Sequence, residues 1–182
     1  MPEPRRWLLL VYKIPPEPSR YRVAIWRRLK GAGAVYLQNS VCVLPESAAH
    51  RSLFEAVARE IEEAGGESVM LLAEAPGSAE EQKVVARFNA ERDIEYAEFL
   101  EQCAAFLEEI RYETERRNFT FAELEENEEG LKRLESWLAR IRQRDLFGAG
   151  KAEKAKARLR DCREALEGFA ARIFAASEGG QP

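Results

Sequence analysis

Basic side chains crowd one short stretch of the chain. Between residues 5 and 30 stand Arg5, Arg6, Lys13, Arg20, Arg22, Arg27, Arg28 and Lys30, with Glu17 the one acid among them. Guanidinium and ammonium groups at this density can seat phosphates or small oxyanions, so Arg20, Arg22, Arg27, Arg28 and Lys30 are candidate nucleic-acid contacts. A second reading is open. Residues 78–130 hold sixteen acids against six bases, and the basic patch can dock on that acidic helix or on its copy in a dimer.

A smaller constellation follows in the acidic region. On a helix Asn89, Arg92, Asp93 and Tyr96 fall at i, i+3, i+4 and i+7 and form one polar stripe. A guanidinium with neighbouring amide and phenol donors is a candidate oxyanion seat, made of Arg87, Asn89, Arg92 and Tyr96. Its bland counterpart is ordinary solvated helix pairing such as Arg92 with Tyr96.

Other chemistry finds little support. Cys42, Cys103 and Cys162 are about sixty residues apart, which is neither a disulfide framework nor a metal clip, and each sits among apolar residues as a small buried hydrophobe would. His50 is the single histidine and falls in the first turn of an expected helix, so zinc and His-carboxylate iron sites and a catalytic triad are not expected. Neither GxGxxG nor GxxxxGK[ST] occurs. No catalytic residue, metal or cofactor is assigned, and the expected protein is not an enzyme. The longest apolar run, residues 7–12, is far short of the roughly 18–20 residues that span a bilayer, and Lys13 ends it too early for a signal peptide. A cytoplasmic, soluble chain is expected.

The elements that must position these groups change character near Pro76-Gly77. Residues 7–14 read as a strand. Residues 19–30 read as a helix capped by Ser19, with Tyr21, Ile25 and Leu29 on its inner face. Two strands around Asn39-Ser40 form a hairpin. Ser47 caps a second helix that carries Leu53, Val57 and Ile61 and stops at Gly65-Gly66, and residues 69–73 form a fourth strand. The order βαββαβ predicts a ferredoxin-like α+β unit over residues 1–77.

Residues 78–182 predict three long helices in an antiparallel, coiled-coil-like bundle. Ser78 with Glu81, and Thr120 with Glu123, have the spacing of capping boxes, and Phe119 with Leu124 that of a hydrophobic staple. Gly130 is a candidate kink. The last helix places Ala155, Leu159, Cys162, Leu166, Phe169 and Ile173 in heptad-like order.

One tertiary inference follows from the strands. A sheet with one face open should alternate apolar and polar residues, but Trp-Leu-Leu-Leu-Val-Tyr at position 7 and Val-Met-Leu-Leu-Ala at position 69 do not. Both faces are therefore expected to be covered, by the helical tail or by a second copy.

Four stretches carry a family resemblance that covers nearly the whole chain. They are Trp-Leu-Leu-Leu-Val-Tyr-Lys-Ile-Pro-Pro-Glu-Pro-Ser from position 7, Ala-Val-Tyr-Leu-Gln from 34 with Val-Cys-Val-Leu-Pro from 41, Phe-Asn-Ala-Glu-Arg-Asp from 88 with Glu95-Tyr96, and Phe-Thr-Phe-Ala-Glu-Leu-Glu-Glu from 119. In this order they resemble the N-terminal domain of the chromate-resistance regulator ChrB. That resemblance implies a chromate-responsive role in controlling or supporting an efflux operon, with DNA and chromate as partners. The C-terminal domain of longer members is not expected here, which leaves room for a separate C-terminal partner protein.

More distantly, the Tyr-x-Ile-Pro end of the first strand and the hairpin resemble the ferredoxin-like domain of Cas2 nucleases and phenylacetate-type repressors. The nuclease pattern has an acidic metal ligand where this chain has Lys13, and a cation there repels Mg²⁺. The expected function is thus a non-enzymatic, chromate-responsive transcriptional regulator or accessory protein. The alternative is a structural interaction module that forms a homodimer without binding DNA or ligand.

Overall fold

The computed structural model describes residues 5–178. Its elements run β1 (Arg6–Lys13), α1 (Ser19–Gly31), β2 (Val35–Gln38), β3 (Val41–Pro45), α2 (Ala48–Glu63), β4 (Glu67–Glu74), α3 (Ser78–Glu115), α4 (Phe121–Arg144) and α5 (Ala152–Glu178). The four strands form one antiparallel sheet in the order β2-β3-β1-β4. This is the topology of the split βαβ arrangement, and the α+β class is as expected.

The chain divides into two compact units, residues 1–91 with 144–147, and residues 92–143 with 148–182. In the first, alternate residues of the central strands point to opposite faces. Leu8, Leu10, Cys42 and Leu44 lie on one face and are wholly buried together with Ile25 and Leu29 of α1 and Phe54, Val57 and Ile61 of α2. Each such aliphatic or aromatic side chain contributes about 1.5–3 kcal/mol on burial. Tyr21 does not join them. It is exposed, with the Arg20 guanidinium 5.0 Å above its ring.

Within the first unit the opposite face is only partly covered by the chain itself. At one end Trp7 stacks on Phe88 of α3, with ring centroids 5.8 Å apart, and lies 5.9 Å from Phe147. At the other end Val11 and its cross-strand neighbour Val69 are exposed, as is Leu71, which pairs with Leu9. These three residues leave an apolar strip beside the outer strand β4.

Local sequence explains most helix ends. The Ser47 hydroxyl accepts the His50 backbone N–H at 3.0 Å, and Thr120 accepts that of Glu123 at 3.3 Å. The other two expected caps do not form. Pro18 occupies the cap position of α1 and has no side chain to offer, so Ser19 is already inside the helix. Ser78 is likewise inside α3, and the Glu81 carboxylate is drawn to Arg5 instead of back to the helix start. Gly66 admits no side chain, because a Cβ there would stand 2.3 Å from the Lys13 carbonyl oxygen.

The second unit is a three-helix bundle. Tyr96, Phe99 and Cys103 of α3 pack with Leu134, Leu138 and Ile141 of α4 and with Ala155, Leu159 and Cys162 of α5. Farther along, Ile110 packs with Leu124, Leu166, Phe169 and Ile173. Late α3 thus meets early α4, and late α4 meets early α5, as antiparallel neighbours must. Phe119 packs on the cluster that contains Leu124, as a staple should. α4 runs through Gly130 without a break, because the glycine lies against the Phe106 ring rather than at a bend.

Candidate functional site

Half of the basic residues between positions 5 and 30 are neutralised within the fold. Arg5 pairs with Glu81 at 3.8 Å, Arg6 with Glu46 at 2.7 Å, and Lys30 with Glu91 at 2.5 Å. Arg28 pairs with Glu60. Two of these acids, Glu81 and Glu91, belong to α3, so the internal docking open from the sequence accounts for part of the patch. Lys13, Arg20, Arg22 and Arg27 remain. Among the described residues none of the four forms an ion pair with a carboxylate, and all are exposed. The first turn of α1 also contains no acid.

Two of these cations, Lys13 and Arg22, line a groove. It has a volume of about 1010 Å³ and lies between the end of β1, the outer side of α1 and the β2–β3 turn. Tyr12, Tyr36, Trp26 and Asn39 line it with them. Among the described residues no carboxylate lines it. The geometry follows from local sequence. Arg22 and Trp26 are four residues apart and so share a helix face, and Val23, also a lining residue, lies on the adjoining stripe with Arg20 and Arg27. The turn residue Ser40 has a φ of 68° and accepts the Tyr12 backbone N–H at 2.9 Å, which fixes the hairpin end against β1.

Inside the groove the hydroxyls of Tyr12 and Tyr36 are 2.6 Å apart. Burial pushes both phenols above their ordinary value. For Tyr12 the hydrogen bond from Tyr36 and the charge of Arg22 act in the opposite sense, and for Tyr36 the bond to Tyr12 adds to the rise. Both phenols stay protonated at neutral pH, so one proton closes the pair and the other is available as a donor. Trp26 is 50% exposed, an apolar ring left standing at the mouth of a cationic groove.

The second constellation is differently employed. Arg87 is exposed and donates to the backbone oxygens of Tyr36 and Leu37, at 3.3 and 3.1 Å. Asn89 is half-buried. Arg92 is buried and pairs with Glu95 at 3.1 Å, and Tyr96 is wholly buried in the core of the bundle. Arg87 and Asn89 belong to the first compact unit, Arg92 and Tyr96 to the second.

Sequence reasoning passed over Tyr12, Trp26, Tyr36 and Asn39. The four-residue spacing of Arg22 and Trp26 was a usable signal. The tyrosine pair was not legible, because it depends on β3 setting Tyr36 beside Cys42 and thus beside the strand that holds Tyr12. Among the described residues no group of three or more His, Cys, Asp or Glu side chains could hold a metal ion. No described helix is long and apolar enough to cross a membrane.

Comparison with known proteins agrees with the family resemblance. Protein ChrB of Cupriavidus metallidurans is 30% identical over 99 residues, a match that covers 54% of this chain and 30% of that protein. The chain thus spans under a third of that relative's length. No solved structure matches it. The family model for the N-terminal part of protein ChrB matches residues 22–180, which leave out β1 and the first three residues of α1 but include Arg22 and Trp26, the hairpin and all three long helices. On that match the chain belongs to the ChrB N-terminal family.

Proposed function

We propose that this chain is a chromate-responsive transcriptional regulator or an accessory protein of chromate resistance, without catalysis of its own, and meets DNA phosphates through Arg20, Arg22 and Arg27. The supporting observation is that these cations, with Lys13, are the part of the basic patch that the fold leaves unneutralised in a chain of net charge −4. Arg28 and Lys30 are neutralised by Glu60 and Glu91 and stand outside this set of contacts. Each phosphate contact releases counterions, so the logarithm of duplex affinity should fall with the logarithm of salt by about 0.9 per contact. Replacing Arg20, Arg22 and Arg27 by alanine should flatten that slope. A slope near zero in the unaltered protein would overturn the reading.

The chromate response rests on family membership, with the exposed Arg87 of the first unit as the oxyanion contact. Calorimetric titration should give heat with chromate and none with sulfate. Loss of the chromate heat in Arg87→Ala, with unchanged circular dichroism, would support the contact, and retention would count against it.

The exposed strip of Val11, Val69 and Leu71 supports a second reading, a homodimer formed through this side of the sheet. Sedimentation should then show a dimer that Leu71→Lys converts to a monomer. A monomer at all concentrations would remove this reading.

A further inference from the structure

We propose that the groove between α1 and the β2–β3 turn receives one unstacked nucleotide of a single-stranded nucleic acid, its base against Trp26 and its phosphate on Lys13 and Arg22. This rests on the nucleic-acid reading above and adds a strand state and a place of contact to it. The size of the groove is the first argument. Its volume of about 1010 Å³ is at the upper end of the roughly 300–1,000 Å³ of ligand pockets, far more than a tetrahedral oxyanion fills.

The lining is the second argument. Two cations without a carboxylate call for an anion, and an exposed indole beside them calls for a flat ring on the same ligand. The tyrosine pair supplies one free O–H, and Asn39 and Ser40 supply polar groups to the edge of that ring. Base stacking on an aromatic side chain joined to a cationic track is how sequence-tolerant single-strand binding works.

A free nucleotide would satisfy the groove but not its surroundings. Val23 lines the groove, and Arg20 and Arg27 lie three residues before it and four after it on the same stripe of α1. Arg27 extends the positive surface past the space that one nucleotide occupies, where a neighbouring phosphate of a strand would pass, while the Arg20 guanidinium lies over the Tyr21 ring. A paired base in a duplex cannot enter, because its ring is stacked on both sides and only its edge is offered.

The test measures fluorescence anisotropy of a labelled twelve-residue oligothymidylate and of its duplex with oligoadenylate, with thymidine monophosphate and inorganic phosphate as competitors. The unaltered protein should bind the single strand more tightly than the duplex, and neither competitor should displace it at concentrations equal to the strand. Trp26→Ala should weaken single-strand binding about fivefold or more and change duplex binding less than twofold, while Trp26→Phe should keep most of it. Trp26 is half exposed, and unchanged circular dichroism would show that both variants fold.

Duplex binding with no single-strand preference, or an equal loss on both in Trp26→Ala, would overturn the inference and leave the duplex reading standing. Displacement of the strand by equimolar thymidine monophosphate would replace the strand by a free nucleotide and also overturn it. Binding of neither nucleic acid would overturn both readings.

Discussion

Cys42 is wholly excluded from solvent on the helix-covered face of the sheet, and burial pushes its thiol from an ordinary 9.0 up to about 12. Above pH 9 the unfolded chain gives up this proton while the folded chain keeps it. The native state then binds more protons than the unfolded one, so stability must fall as pH rises from about 9 towards 12. Tyr12 and Tyr36, also raised by burial, add to the same alkaline limb above pH 10. Denaturant titrations at pH 8, 9 and 10 should show the decline, and Cys42→Ala should make it shallower. Cys103 and Cys162 are buried as well, and Cys103 is held protonated by its contact with the Cys162 thiol and by burial. Iodoacetamide at pH 8 should leave all three thiols of the folded protein unlabelled and modify all three in denaturant.

At the scale of elements, two glycines make opposite predictions. Gly168 lies within α5, and a Cβ built there meets nothing within 4 Å. Gly168→Ala should stabilise the protein by about 0.5–1 kcal/mol, because alanine loses less backbone entropy in a helix. Gly66 closes the turn from α2 into β4 with its α-carbon against the Lys13 carbonyl and Ile61. Gly66→Ala should cost about 1–3 kcal/mol, through displacement of one strand end. Thermal melts of the two variants should move in opposite directions.

The same scale shows what was legible in the sequence. Periodicity gave each helix its type, since Ile25 with Leu29 and Val57 with Ile61 are spaced for one helix face, and short apolar runs bounded by turns gave the outer and central strands theirs. Caps at Ser47 and Thr120 were legible because short polar side chains close those backbones locally. Ser19 and Ser78 have the same composition, but Pro18 and Gly77 start their helices one residue earlier. Burial of strand faces was half legible. An apolar run shows that cover is favourable, but not that Phe88 and Phe147 provide it at Trp7 while Val11 goes without. The candidate site was legible in its charges and hidden in its pairing, since only the register separates the neutralised Arg28 and Lys30 from the open Arg22.

At the scale of the whole molecule, the charge blocks are sorted by the fold. Acids of α2 and α3 take up Arg28, Arg5 and Lys30, while Lys13 and Arg22 of the same patch line the groove. The path of the chain is less regular than that sorting. Phe147 stands between α4 and α5 in sequence, yet its ring packs 5.1 Å from Phe88 and carries the Arg5 guanidinium 4.7 Å above it. Phe147→Ala should therefore cost up to about 3 kcal/mol and act on the sheet. Hydrogen exchange should accelerate in β1 and β3 more than in α4 and α5. Equal acceleration throughout would show that the two units unfold as one.

That detour sets a timetable for biosynthesis. A ribosome delivers the sheet and its helices by residue 91 but reaches the last piece of the same unit only at 147. At 5–20 residues per second the nascent sheet waits roughly 3–11 s with the Trp7 indole incompletely shielded, a window in which a chaperone or a premature stop codon would find it open.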